Sequence, residues 1–166
     1  MHVKHAFGFS TKELQPTLTT LFFYAFVHHV LIERTPLTQH NIATLLDHAV
    51  FIARHTPLFH FYVDTKAKWS LGEPATRELT VVEYKWTHET MRPDGQDIGL
   101  QCPGCGSLGS RAGKKKITSK TDRRVVIWCK RTDCDWQETY TIAENVRDLK
   151  TGENGVWTAR PFMTSK

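Results

Sequence analysis

Four cysteines are the residues of this chain whose types and spacing most directly imply chemistry. They stand as Cys102-Pro103-Gly104-Cys105 and, after a gap of 23 residues, Cys129-Lys130-Arg131-Thr132-Asp133-Cys134. Two tight pairs make either two disulfides or one metal site. No export signal follows Met1-His2-Val3-Lys4-His5. A reducing compartment, nucleus or cytoplasm, is therefore expected, and structural disulfides are rare there. The expectation is a structural zinc ion held by Cys102, Cys105, Cys129 and Cys134. Four sulfurs at ~2.3 Å close the coordination sphere and leave no open position for catalysis. Gly104 and Gly106 give the first turn the backbone freedom it needs.

The gap between the pairs is basic. From Arg111 to Arg131 the chain holds Arg111, Lys114, Lys115, Lys116, Lys120, Arg123, Arg124, Lys130 and Arg131, against the single acid Asp122. This stretch carries +8 in a chain whose formal net charge is +5, so the remainder is net negative. Clustered lysine and arginine neutralise phosphates and release counterions, which gives sequence-independent affinity for nucleic acid. Lys114-Lys115-Lys116 is expected on a hairpin loop. Trp128 and Trp136 offer rings that could stack on bases; core packing is the stronger expectation, because so small a module has little else to bury.

The elements that must position these groups follow from periodicity. Pro16 suits a first helical turn, and an apolar stripe of Leu18, Leu21, Phe22, Ala25, Val27 and Leu31 predicts a helix over 16–34. Residues 21–32 are strongly apolar, but twelve residues span only ~18 Å and a bilayer needs ~20 residues. They read as a core helix, with no membrane partner. Thr38 is a good N-cap for a second helix over 39–55, with Ile42, Leu45, Leu46, Ala49, Val50 and Ala53 on its apolar face. Residues 58–64 and 78–87 read as strands, the latter alternating Val82, Tyr84, Trp86 against Val81, Glu83, Lys85, Thr87. A short helix is expected at 143–150 and a strand around Val156-Trp157-Thr158.

The expected fold class is therefore α+β. Residues 1–90 form two helices on a small sheet and 91–99 a turn-rich linker. Residues 100–147 form a ribbon of β-hairpins around the metal, and 148–166 a tail. A unit of about 45 residues is too small to rely on an apolar core alone, and the metal supplies what is missing.

Cys102-Pro103-Gly104-Cys105-Gly106, Arg111, Ile117-Thr118-Ser119, Trp128-Cys129, Asp133-Cys134 and Tyr140 together resemble the zinc finger of the Ogr/Delta-type phage late-transcription activators. That family has a CPxCG opening, a long basic gap, a C-x4-C second pair and an aromatic-threonine strand after it. The resemblance covers about 100–147. It implies that Cys102, Cys105, Cys129 and Cys134 bind zinc and that the module works in DNA binding and transcription.

Two further sets of residues could do chemistry. Asp64 with Glu83-Tyr84-Lys85 resembles the PD-(D/E)xK nuclease signature, which implies Mg²⁺ on Asp64 and Glu83 and a water positioned by Lys85. The polar face of an amphipathic strand is the plainer reading. Histidines are frequent, but His40, His48 and His55 sit ~10–12 Å apart along a helix and cannot share an ion. With His28, His29, His60 and His88 they read as surface or core residues. The leading expectation is binding rather than catalysis: a nucleic-acid-binding zinc ribbon, DNA favoured over RNA, in a transcriptional or mobile-element setting. Residues 1–90 would supply a protein-partner or homo-oligomer surface. A Mg²⁺-dependent nuclease and a zinc-ribbon protein-interaction module are the alternatives.

Overall fold

The computed structural model describes residues 4–11, 14–64, 78–88, 91–117, 122–152 and 155–162. It mixes helix and sheet and divides into two compact units, Met1–Tyr84 with Ala159–Lys166, and Lys85–Thr158. This division differs from the expected boundaries at residues 90, 99 and 147. The strands are β1 (His5–Phe9), β2 (Leu58–Asp64), β3 (Glu78–Thr87), β4 (Arg111–Ile117), β5 (Arg123–Cys129), β6 (Gln137–Thr141), β7 (Arg147–Gly152) and β8 (Gly155–Phe162). One sheet runs in the order β1-β2-β3-β8-β7 and a second in the order β4-β5-β6.

In the first unit β1, β2 and β3 are antiparallel neighbours, with His5 opposite Tyr62 and Leu58 opposite Tyr84. Helix α1 (Pro16–Phe26) starts on its proline and continues as a π-helical turn, Val27–Ile32. Its buried Phe22 meets the edges of Phe7 and Phe9 on β1, at ring centroids of 5.5 and 6.4 Å. The expectation of a core helix holds for one stripe only, because Tyr24, Leu31 and Ile32 are exposed. Among the described residues no helix is long and apolar enough to cross a membrane. The second predicted helix is two, α2 (Gln39–Asp47) and α3 (Val50–His55). Thr38 caps α2, its Oγ1 accepting the Asn41 N–H at 3.2 Å. Ile42, Leu45, Leu46, Ala49 and Ala53 are buried as predicted, and Ile52, outside the expected face, is buried as well. Thr56, also buried, accepts the Ser10 and Thr11 N–H groups and so pins the chain after β1.

In the second unit the core is Val125, Ile127, Ile142 and Val146, with Ile98, Trp136, Tyr140 and Ala143 packed on it. The expected linker is thus part of the structure: Ile98 joins the core, Arg92 and Pro93 are buried, and Pro93–Gly95 forms a 3-10 turn. The expected helix at 143–150 is absent, and β7 occupies the second half of that span. The expected tail contributes β8, whose Trp157 and Thr158 are buried. Lys114, Lys115 and Lys116 lie on β4 and not on a loop. Since β4 is the edge of its sheet, lysines there also discourage pairing with other chains.

Candidate metal centre

The first cysteine pair sits on a tight turn. The Cys102 carbonyl accepts the Gly106 N–H at 2.8 Å, and the Cys102 N–H donates to Ser107 O at 3.0 Å. Gly106 has φ 71°, a left-handed conformation that favours glycine. Gly104 is constrained differently. A Cβ there would lie 2.8 Å from Trp136 Cβ and 3.1 Å from Cys134 Sγ, so the bare backbone lets the two turns meet.

The second pair starts where β5 ends. The Cys129 N–H donates to Trp136 O at 3.0 Å, and the Cys134 N–H donates to Arg131 O at 3.3 Å. Arg131 grips Asp133 through two charged hydrogen bonds of 2.5 and 2.8 Å, which brace the loop from within.

The four sulfurs converge, each within 4.8 Å of the others. Cys102 Sγ is 3.8 Å from Cys134 Sγ, and Cys105 Sγ is 3.8 Å from Cys129 Sγ. A disulfide requires ~2.05 Å, so neither pair is bonded. A tetrahedral ion with arms of ~2.3 Å has edges of ~3.8 Å, so the quartet could hold a metal ion. Its surroundings differ by sulfur. Ser107 Oγ is 3.4 Å from Cys105 Sγ, and hydrogen bonding to Ser107 pushes that thiol down to about 6. Ser110 Oγ, 3.4 Å from Cys129 Sγ, and then the Arg131 backbone lower Cys129 as well. At Cys134 the Trp136 backbone pulls downward, but burial and the neighbouring thiols outweigh it and raise the thiol to about 12. Four crowded sulfurs cannot all carry charge without a cation among them. Ser107 and Ser110 escaped the sequence reading, because a serine near a cysteine turn has no distinctive spacing.

The basic residues separate into groups. Arg123 donates to the Val146 carbonyl and faces Asp148 at 3.5 Å, and Arg131 is held by Asp133, so both serve the fold. Lys130 is exposed beside the second turn, Arg111 opens β4 opposite Cys129, and Lys120 lies outside the described residues. On β5 the faces alternate. Val125, Ile127 and Cys129 are buried, while Arg124 and Trp128 are exposed and Val126 is half-buried. Trp128 is 37% exposed, so the packing expected of it is incomplete, whereas Trp136 joins the core. Arg124 is opposite Lys116 and Thr141, Val126 opposite Lys114 and Thr139, and Trp128 opposite Ala112 and Gln137. Lys115 is opposite Val125. Asp122, at the open end of this row, pairs with Arg124 at 2.6 Å.

The nuclease-like set does not come together. Glu83 is opposite Phe59, and Asp64 lies five residues further along β2, about 17 Å away at strand rise. Glu83 is buried and accepts a 2.7 Å hydrogen bond from Arg160. Lys85 packs its stem against Gly95. Alternation along β3 hid this, because Val81, Val82, Glu83 and Tyr84 are all buried. No protein-family model matches the chain, nor does any curated protein or solved structure.

Proposed function

We propose that the chain is a nucleic-acid-binding protein built on a structural zinc ribbon, acting on DNA in a transcriptional or mobile-element setting. Zinc is the ion that suits four thiolates at tetrahedral spacing. The coordination sphere is then complete, and the ion's part is to fix the two turns and the end of β5. The observation that carries the reading is one row of one sheet. An exposed Trp128 shares β5 with exposed Arg124, and Lys114 and Lys116 are their near neighbours on β4. An exposed indole on β5, in a hairpin whose partner strand carries three consecutive lysines, suits a polyanion whose bases can stack. The resemblance to the Ogr/Delta-type activators supports DNA and transcription. In the other unit the exposed Tyr24, Leu31, Ile32 and Phe51 support a partner or oligomer surface.

The test is fluorescence anisotropy of the full chain on duplex and single-stranded DNA and on RNA, across a salt series. Affinity should fall steeply with salt and weaken in a Lys114→Ala, Lys116→Ala double variant. Affinity no greater than that of an unrelated protein of equal charge would overturn the reading and favour a protein-interaction module.

A further inference from the structure

The π-helical turn at Val27–Ile32 does more than extend α1. In such a turn backbone N–H groups reach five residues back instead of four, and Glu33 N–H to His28 O, at 3.0 Å, is one of these bonds. The side chains are rearranged accordingly. At the α-helical step of ~100° per residue, His29 would lie ~40° round the axis from Glu33 and His28 ~140°, on the far side. The wider turn brings both imidazoles to the same carboxylate. His29 Nδ1 is 2.6 Å from Glu33 Oε2, and His28 Nδ1 is 3.5 Å from Glu33 Oε1. One ligand atom from each residue lies within 4.8 Å of the other two.

The rings are also oriented. His29 stacks on His48 at a centroid distance of 5.6 Å, and His28 meets His29 edge-on at 5.0 Å. Arg34, at φ 58°, turns the chain away directly after Glu33. The side chains of His28, His29 and Glu33 are 50%, 33% and 46% exposed, which leaves water free to approach.

We propose that His28, His29 and Glu33 form a second metal site, which takes a divalent first-row transition ion such as nickel, copper or zinc. Two imidazoles and a carboxylate are the donors such ions prefer when thiolates are absent. Water completes the sphere, so this site is open where the cysteine site is closed. The donors sort the metals too. The sulfur quartet favours soft ions, and the histidine site accepts harder ones that thiolates hold less well.

The test is calorimetric titration of nickel into the full chain with its cysteine site already filled with zinc. The wild type should bind one further equivalent. His28→Ala and His29→Ala should each weaken nickel by more than roughly tenfold, the loss that even an outer-shell partner of a ligand can cost. Glu33→Gln should weaken it in the same direction, and His40→Ala on α2 should leave it unchanged. Far-ultraviolet circular dichroism of each variant separates lost binding from lost fold. No further equivalent in the wild type would overturn the proposal. So would a folded His28→Ala variant that binds nickel as the wild type does, because only the π turn recruits His28.

Discussion

Arg160 on β8 places Nη2 2.7 Å from Oε2 of Glu83 on β3, and the Glu83 side chain is only 6% exposed. The two residues are 77 positions apart in sequence, so this pair joins the C-terminal strand to the middle of the chain. Replacing Arg160 with Ala leaves a buried carboxylate without its guanidinium. The expected loss is about 2–3 kcal/mol, below the 3–5 kcal/mol of a fully buried pair because Arg160 remains partly in water. Urea unfolding measures it. An Arg160→Ala chain as stable as the wild type would show that Glu83 needs no such partner.

Any one of Cys102→Ser, Cys105→Ser, Cys129→Ser or Cys134→Ser should reduce tightly bound zinc from one equivalent to near zero. Elemental analysis of reduced, purified protein checks this. Apparent zinc binding in small fingers is worth ~10–16 kcal/mol, so the fold of the second unit should fail with the metal. Loss of Trp128 and Trp136 fluorescence structure on adding a chelator is the matching observation.

Gly104→Ala should weaken the metal site without removing a ligand. Its methyl would meet Trp136 Cβ at 2.8 Å and Cys134 Sγ at 3.1 Å. Overpacking of this kind costs about 1–3 kcal/mol. Competition with a chromogenic zinc chelator reads it as a reduced zinc affinity. Gly106→Ala should act through backbone strain instead, at about 1 kcal/mol.

Trp128→Ala should reduce single-stranded DNA binding by about 1–3 kcal/mol if one base stacks there. Arg123→Ala should instead lower stability, since Arg123 holds the Val146 carbonyl and faces Asp148. Paired anisotropy and thermal-melting measurements separate the two. Trp128→Ala with full affinity would remove stacking from the proposed function.

His60 should give the first unit an acid-sensitive stability. It is buried on β2, with His5 Nδ1 3.0 Å from its Nε2. Burial first, and the nearby His5 second, push its pKa from 6.5 down to about 4. Between those values the unfolded chain binds a proton at this position and the folded chain does not. The stability contributed by keeping His60 neutral is therefore present above pH 6.5 and is lost as pH falls toward 4, by about 2–3 kcal/mol. Urea midpoints from pH 7 to 4 should show this slope, flattened in His60→Gln.

Much of this was readable from residue order. Thr38 announced its helix, because a threonine before an apolar period offers an oxygen to the open N–H groups. The strands at 58–64 and 78–87 showed in their branched and aromatic residues, and the cysteine quartet in its spacing. The misses share a cause, since local pattern cannot report distant partners. Three consecutive lysines look like a loop until β5 lies beside them. Glu83 looks solvated until Arg160 arrives. The π turn kept the apolar look of a helix while changing its pitch, so counting by fours and threes hid His28 from Glu33.

Cys129 is the last residue of β5, and Trp128 stands beside it facing the opposite way. A strand that slips by one position exchanges its two faces. The sulfur clamp thus acts as a peg that fixes which side chains of β5 look outward. Oxidising Cys105 onto Cys129 would draw sulfurs now 3.8 Å apart to ~2.05 Å and tug the peg from its hole. The outward row would then shift with none of its own residues altered, so the exposure of Trp128 would report on sulfurs that lie across the strand from it.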